Sequence, residues 1–109
     1  MSEQPNWNFE EFSTFLLLYA ADADLVLSPE EETLMKARLN EQSYEKVKTQ
    51  YDSLSDYQRV QTIMSFKGLY YPTVERRDEL IALIKKQFMA DGDYSLLEKN
   101  MLRLLEKLM

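Results

Sequence analysis

Cysteine and histidine are both absent from the 109 residues of this chain. Without cysteine there is no disulfide, no thiolate metal site and no cysteine nucleophile, and nothing indicates an oxidising compartment. Without histidine the chain lacks the commonest general base at neutral pH, the Ser-His and Cys-His nucleophile pairs and the usual zinc ligand. These two absences argue against a hydrolase or a zinc enzyme.

Glycine and proline are scarce, at two and three residues. So little turn-forming material leaves few sites for β-hairpins, whereas residues that favour helices, such as Leu, Glu, Lys, Met and Gln, are abundant. The composition therefore predicts an all-α protein. The length suits a single domain that can bury a hydrophobic core without disulfides.

Basic charge is also in short supply, with 13 Lys and Arg against 19 Asp and Glu and a net charge of −6. Such a balance repels a nucleic-acid backbone, and the adjacent basic residues at 76–77 and 85–86 are not interleaved with aromatics. The longest apolar run, residues 15–21, is far below membrane-spanning length, and residues 1–8 do not resemble a signal peptide. We therefore expect a cytoplasmic protein that binds no nucleic acid and does not span a membrane.

Helix start signals divide the chain. Four are capping boxes, in which a polar N-cap residue is followed three positions later by Glu or Gln: Asn8 with Glu11, Ser28 with Glu31, Ser55 with Gln58 and Ser95 with Glu98. Thr73 is a further N-cap. The apolar residues after each signal recur at three- and four-residue spacing, which is typical of helices with one buried face. The helices are predicted over about 9 to 21 or 22, 28–39, 43–54, 55 to the region of Gly68 and residues 70–72, 73–89 and 95–108. Tyr71 is biased out of the helical region because Pro72 follows it.

We expect these six helices to form one compact bundle. The first helix is apolar around most of its circumference, which predicts that it lies at the centre of the core. In the fourth helix the apolar stripe places Val60, Ile63 and Met64 inward, with Tyr57 as a further candidate. In the fifth helix the residues expected inward are Val74, Leu80, Ile81, Ile84 and Phe88, and those expected mostly outward are Arg76, Arg77, Lys85 and Lys86. Residues 1–8 are expected to be a flexible lead-in, from which Trp7 can pack back on the core, and residues 9–109 to be the domain.

One stretch of the chain occurs twice. Residues 90–98 read ADGDYSLLE and residues 23–31 read ADLVLSPEE, so Ala, Asp, Ser and Glu recur at the same offsets. Each copy follows one predicted helix and opens the next. The first two and the last two helices are therefore expected to form similar hairpins, related by an approximate two-fold axis.

Both corners are rich in carboxylates. Like charges so close together repel one another unless something offsets them, and oxygen ligands without His or Cys suit Ca²⁺ or Mg²⁺. The helix N-terminus at each corner presents positive partial charge, which opposes a cation. An EF-hand is excluded because Leu96 and Leu102 occupy the decisive glycine and glutamate positions. The candidate metal ligands are Asp91, Asp93 and Glu98 of the second corner and Asp24, Glu31 and Asp22 of the first.

Two other interpretations stay open. The Ser and Glu of each corner form a capping box, so these acids are also explained as residues that only initiate helices in a structural interaction domain. Paired carboxylates can instead act as general acid and base, although no other feature of the chain indicates an enzyme. The tyrosines, where they are exposed, are candidates for an interaction patch.

The doubled motif resembles the TerB-like family of tellurite-resistance proteins, whose members carry an ADGE-x-S-x-x-E type corner in each of two related halves. The second corner matches this pattern closely. The first keeps Asp24, Ser28 and Glu31 but has Leu25 and Val26 in place of the glycine and second acid, so a metal role there would require Asp22 as a substitute.

The resemblance implies a bundle of seven helices or a similar number, and divalent-cation binding by the corner acids. Together with the missing nucleophile and base, it favours a protein without enzymatic activity. It also implies an accessory role in bacterial stress or tellurite resistance, often with membrane-associated partner complexes. A basic surface on a protein partner is the alternative ligand for the same acids. The metal, the partner and the oligomeric state are not specified by the sequence.

Overall fold

The structure, a computed structural model of the chain, describes residues 6–24, 41–88 and 95–108. Side chains are described throughout these ranges except at residues 21–24, 41, 43, 88, 95 and 96. The described residues form helices and short turns, and no strand occurs among them, which confirms the all-α prediction. None of the helices in these ranges has the length and apolarity that crossing a membrane requires.

Five helices of ten or more residues and one four-residue helix make up the described chain. The predicted helix at 28–39 lies outside the described residues, so the count of six and the internal two-fold repeat stay predictions. The helices are α1 (Phe9–Asp24), α2 (Glu41–Ser53), α3 (Asp56–Ser65), α4 (Lys67–Tyr70), α5 (Val74–Phe88) and α6 (Ser95–Lys107).

Two helices are longer than predicted. Helix α1 continues to Asp24 instead of ending at residue 21 or 22. The last residues of α1 are rich in alanine, the strongest helix former, and contain no glycine or proline that would stop the helix. Helix α2 begins at Glu41, before the expected start at Ser43.

The predicted fourth helix is divided in two at Phe66. This residue leaves the helical region, with φ −94° and ψ 2°, so α3 ends at Ser65 and the short helix α4 follows. Gly68 lies inside α4 and is not the terminator that the sequence suggested. Tyr71 ends α4 in a non-helical conformation, as predicted for the residue before a proline.

Three of the predicted N-caps are confirmed by their hydrogen bonds. The backbone N–H of Asn8 donates to Glu11 Oε1 at 3.1 Å, and the N–H of Glu11 donates back to Asn8 Oδ1 at 2.9 Å. Ser55 forms the same reciprocal box with Gln58. At the start of α5, Thr73 Oγ1 accepts from a backbone N–H at 3.2 Å. These bonds satisfy donors that a helix start otherwise leaves open.

Helix α1 is the centre of the core, as predicted, and it packs against α2 and α6. Trp7 joins the core from outside the helix and is only 6% exposed. Its ring stacks on Phe66 at 5.7 Å between centroids and lies 4.9 Å from Phe15, and its Nε1–H donates to Gln50 at 3.1 Å. The completely buried apolar side chains of α1 are Phe12, Phe15 and Leu16, with Leu17 and Ala20 almost so.

The inner face of α3 agrees with the prediction at Ile63 and differs from it at Tyr57 and Met64. Its buried residues are Thr62 and Ile63, and Phe66 directly after the helix continues the same stripe. Tyr57 and Met64 lie on the opposite side, where their side chains are 71% and 46% exposed. The sequence presents two comparable stripes on this helix, and the stripe that includes Phe66 is the one that meets α1 and Trp7.

Two other side chains were also assigned to the wrong surface. Val74, at the start of α5, is 54% exposed instead of inward-facing. Arg77, expected to point outward, has a side chain that is only 12% exposed, and its Nη1 lies 3.7 Å from a carboxylate oxygen of Glu106 on α6.

Helices α5 and α6 form the hairpin that the sequence predicts for the end of the chain. Arg77 near the start of α5 pairs with Glu106 near the end of α6, and Lys85 near the end of α5 pairs with Glu98 at the start of α6. The start of α5 therefore lies beside the end of α6, and the end of α5 lies beside the start of α6, so the two helices are antiparallel. The matching first hairpin involves residues outside the described ranges.

Replacing Trp7 by Ala is expected to lower the free energy of unfolding by about 3–5 kcal/mol, because it removes a buried aromatic side chain from between α1, α2 and Phe66. Tyr57→Ala, at the most exposed aromatic residue of the described ranges, is the matched control and should change stability by less than about 0.5 kcal/mol. Urea unfolding followed by far-UV circular dichroism measures both. Equal effects would contradict the central position of Trp7.

Candidate functional site

Only part of the predicted acidic site falls within the described residues. Glu98 is the one predicted ligand whose side chain is described. Asp22 and Asp24 are described by their backbone alone, at the end of α1. Glu31, Asp91 and Asp93 lie outside the described residues, so their grouping with Glu98 stays a prediction.

Glu98 is paired with a lysine. It lies in the first turn of α6, and its Oε2 is 3.2 Å from Nζ of Lys85 in the last turn of α5. A carboxylate is favoured at a helix N-terminus and an ammonium group at a C-terminus, so both helix dipoles support this pair. The Glu98 side chain is 35% exposed. Its charge is thus offset by the chain's own lysine while remaining accessible to solvent.

The first corner has different electrostatic surroundings. Asp22 and Asp24 belong to the last turn of α1, where the prediction had placed the start of the corner, and that turn contains no basic residue. The last turn of α5, in contrast, contains Lys85 and Lys86. Unpaired carbonyl groups make the C-terminal end of a helix negative, so the α1 terminus favours a cation more than the α5 terminus does.

The described residues do not by themselves form a metal site. No group of three or more acidic side chains suited to a metal ion occurs within them. Glu98 alone cannot supply the six to eight oxygens that Ca²⁺ prefers. A cation site at either corner therefore depends on side chains beyond those that the structure describes.

Glu11 is a buried acid that the sequence identified only as a cap. Its side chain is 10% exposed and accepts a charge-assisted bond from Lys46 Nζ at 2.9 Å as well as the bond from the Asn8 N–H. Burial raises the pKa of the Glu11 carboxyl, but the bonds from Lys46 and Asn8 outweigh burial and hold this pKa below its ordinary value. Because Lys46 is distant in the chain, no local pattern signals the pair.

Tyr19, Asp56 and Arg59 form a second polar cluster that sequence reasoning missed. The Tyr19 hydroxyl donates to Asp56 Oδ1 at 3.2 Å, and burial together with the nearby Asp56 carboxylate raises the pKa of Tyr19. The Arg59 guanidinium lies 4.0 Å from the centroid of the Tyr51 ring, and its Nε donates to the Tyr51 carbonyl at 3.0 Å. These contacts attach the start of α3 to α1 and α2, which indicates a structural role.

A groove of about 480 Å³ runs along α2 and provides a test of the enzyme interpretation. Among the described residues that line it, Glu45 is the one acid, and it is next to Lys46, whose ammonium is paired with Glu11. Glycosidase-like chemistry requires two carboxylates facing a common substrate. The lining of this groove does not offer that arrangement.

Comparison with known proteins found no matching family model, no matching curated protein and no matching solved structure. The TerB-like resemblance therefore rests on the two corner motifs.

Glu11→Gln is expected to lower the free energy of unfolding at pH 7 by about 1–2 kcal/mol, because it removes the charge that Lys46 pairs with while keeping an acceptor for the Asn8 N–H. Since the folded-state pKa is lowered, the carboxylate contributes this stability above the unfolded-state pKa of about 4.3 and loses it as pH falls through the folded-state value. The difference from wild type should therefore shrink below about pH 4.

Urea unfolding from pH 2.5 to 7 measures this dependence. Glu45→Gln, at an exposed acid on α2 next to Lys46, is the control and should behave like wild type at every pH. A Glu11→Gln deficit that stays constant across the range would show that the charge of Glu11 is not its source.

Proposed function

We propose that the chain is a non-enzymatic, TerB-like helical module that binds a basic surface of a protein partner through its acidic corners. The pair between Glu98 and Lys85 is the observation that carries this proposal. In this pair a carboxylate in the first turn of α6 accepts an ammonium group from a lysine, which is the kind of group that a basic partner would offer. The acids assigned to binding are Asp91, Asp93, Glu98, Asp24, Glu31 and Asp22.

A basic partner suits these residues better than a metal ion. A lysine or arginine side chain requires only one or two carboxylate oxygens, whereas Ca²⁺ requires a nearly complete shell of oxygens. The net charge of −6 also attracts a basic partner over distance and raises its association rate. Ca²⁺ or Mg²⁺ bound by the same acids is the second form of the proposal.

The TerB-like resemblance adds a cellular role, an accessory function in bacterial stress or tellurite resistance within the cytoplasm. This role rests on the corner motifs alone. The absence of histidine and cysteine from the whole sequence supports a binding protein over an enzyme.

A purely structural role of the corner acids is the alternative. The capping boxes Asn8 with Glu11 and Ser55 with Gln58 support it, because the related pattern at these two helix starts is explained by hydrogen bonding to the backbone. In that case the module binds partners through some other surface, and removing the corner acids affects only stability.

Titration with octalysine, Ca²⁺ and Mg²⁺ distinguishes these forms of the proposal. The wild-type protein should bind octalysine, and its thermal midpoint should rise, because a ligand of the native state at 100 times its Kd adds about 2.7 kcal/mol. The double variant Asp91→Ala with Asp93→Ala should lose most of this effect. A rise with millimolar Ca²⁺ or Mg²⁺ but not with octalysine would select the metal form.

Asp78→Ala with Glu79→Ala is the matched control, since it also removes two acids, from the exposed start of α5. This control should bind octalysine more strongly than the corner variant. If both double variants reduce binding equally, the effect comes from net charge alone and the corner is not a site. If no ligand alters the thermal midpoint, the structural alternative holds.

A further inference from the structure

A lysine of the chain itself already occupies one carboxylate of the second acidic corner. Lys85 lies in the last turn of α5 and Glu98 in the first turn of α6, and Asp91 and Asp93 come between them in the sequence. The Lys85 ammonium nitrogen is 3.2 Å from Glu98 Oε2. Any basic group that binds Glu98 must therefore compete with Lys85.

The pair between Lys85 and Glu98 is built in a way that allows exchange. Its side chains are 58% and 35% exposed, and within the described residues the Glu98 carboxylate makes this one polar contact. Glu11, in contrast, is 10% exposed and accepts bonds both from Lys46 and from the Asn8 N–H. An exposed pair with a single contact contributes little to stability, so water or another cation can replace Lys85 at small cost.

The neighbouring lysine lacks such a contact. Lys86 lies in the same turn of α5 and is exposed, and it makes no ion pair within the described part of the chain. The two lysines carry the same charge at adjacent positions, so they contribute about equally to the long-range field of the protein. What distinguishes Lys85 is its direct contact with a corner acid.

The first corner has no corresponding lysine. Residues 22–32 contain five acids and no base, and the last turn of α1 contains no basic residue. The two copies of the motif therefore differ in one respect that matters for a basic ligand. The second copy is followed and preceded by helices whose own side chains supply an ammonium group, and the first copy is not.

We propose that Lys85 is an autoinhibitory contact, which covers Glu98 and must leave before a basic side chain of the partner binds there. This inference rests on the proposed function, to which it adds regulation of the second corner. A ligand whose binding-competent state is only partly populated binds with an affinity reduced by that fraction. Neutralising the Lys85 ammonium, or drawing it to another acid, therefore raises the affinity of the corner for a basic partner.

Comparison of Lys85→Gln with Lys86→Gln tests this proposal. Both variants lose one positive charge from the same turn, so their long-range attraction for octalysine is matched. Isothermal titration calorimetry at fixed ionic strength should show that Lys85→Gln binds octalysine about two- to fivefold more tightly than Lys86→Gln, the range expected for release of one exposed ion pair. Lys85→Arg keeps the pair and should bind like wild type.

Two further measurements assign the effect to Glu98. In a Glu98→Gln background, Lys85→Gln and Lys86→Gln should bind octalysine equally, because no carboxylate is left for Lys85 to cover. In NMR spectra of the carboxyl carbons, the Glu98 resonance, assigned by its loss in Glu98→Gln, should respond to less octalysine in Lys85→Gln than in Lys86→Gln. Circular dichroism of each variant, compared with wild type, shows that the fold is retained.

Failure of this inference can be told apart from failure of the proposed function. If Asp91→Ala with Asp93→Ala reduces octalysine binding but Lys85→Gln and Lys86→Gln bind equally, the corner is a site and Lys85 does not inhibit it. Weaker binding by Lys85→Gln than by Lys86→Gln also overturns the inference, because Lys85 then supports the site. If octalysine binds neither wild type nor Lys85→Gln, the proposed basic partner is wrong and the inference falls with it.

Discussion

Burial of helix α1 is the constraint on which the rest of this structure depends. Its apolar side chains cover most of its circumference, so no single neighbour can remove them all from water, and other helices must pack around it. Helices α2 and α6 lie directly against α1, and Trp7 and Phe66 complete its aromatic surroundings. With the centre occupied in this way, the described part of the protein can offer ligands only the ends and outer faces of its helices.

Polar contacts then fix how the surrounding helices are placed. The buried carboxylate of Glu11 holds α1 to α2 through Lys46, and two ion pairs join α5 to α6 near both ends of their hairpin. The pair at Glu11 is the more protected one, because its carboxylate is 10% exposed whereas that of Glu98 is 35% exposed. Since exposed ion pairs contribute little to stability, Glu98 can exchange its partner at small cost.

The caps and most of the core were predictable from the sequence because both depend on neighbouring residues. An N-cap is defined within four positions and an apolar stripe within two turns, as with Asn8 and Glu11 or with Ile84 on α5. The inner face of α3 was not predictable in the same way. Its two stripes are similarly apolar, and Phe66, which decides between them, lies beyond the helix end and acts through contact with Trp7.

The candidate site was less predictable than the fold. The repeated corner motif could be read from the sequence, but the electrostatic difference between its two copies could not. That difference comes from where α1 ends and from the antiparallel pairing that brings Lys85 to Glu98. The exposure of Tyr57 likewise could not be predicted, because it follows from burial of the opposite side of α3 against other helices.

The acidic corner offers a basic ligand little net free energy by itself. A basic group that binds Glu98 must displace Lys85, so its gain is the difference between two similar ion pairs. The corner charges are therefore expected to act mainly on the orientation of a partner and on its rate of association, and a tight complex would require apolar contacts as well.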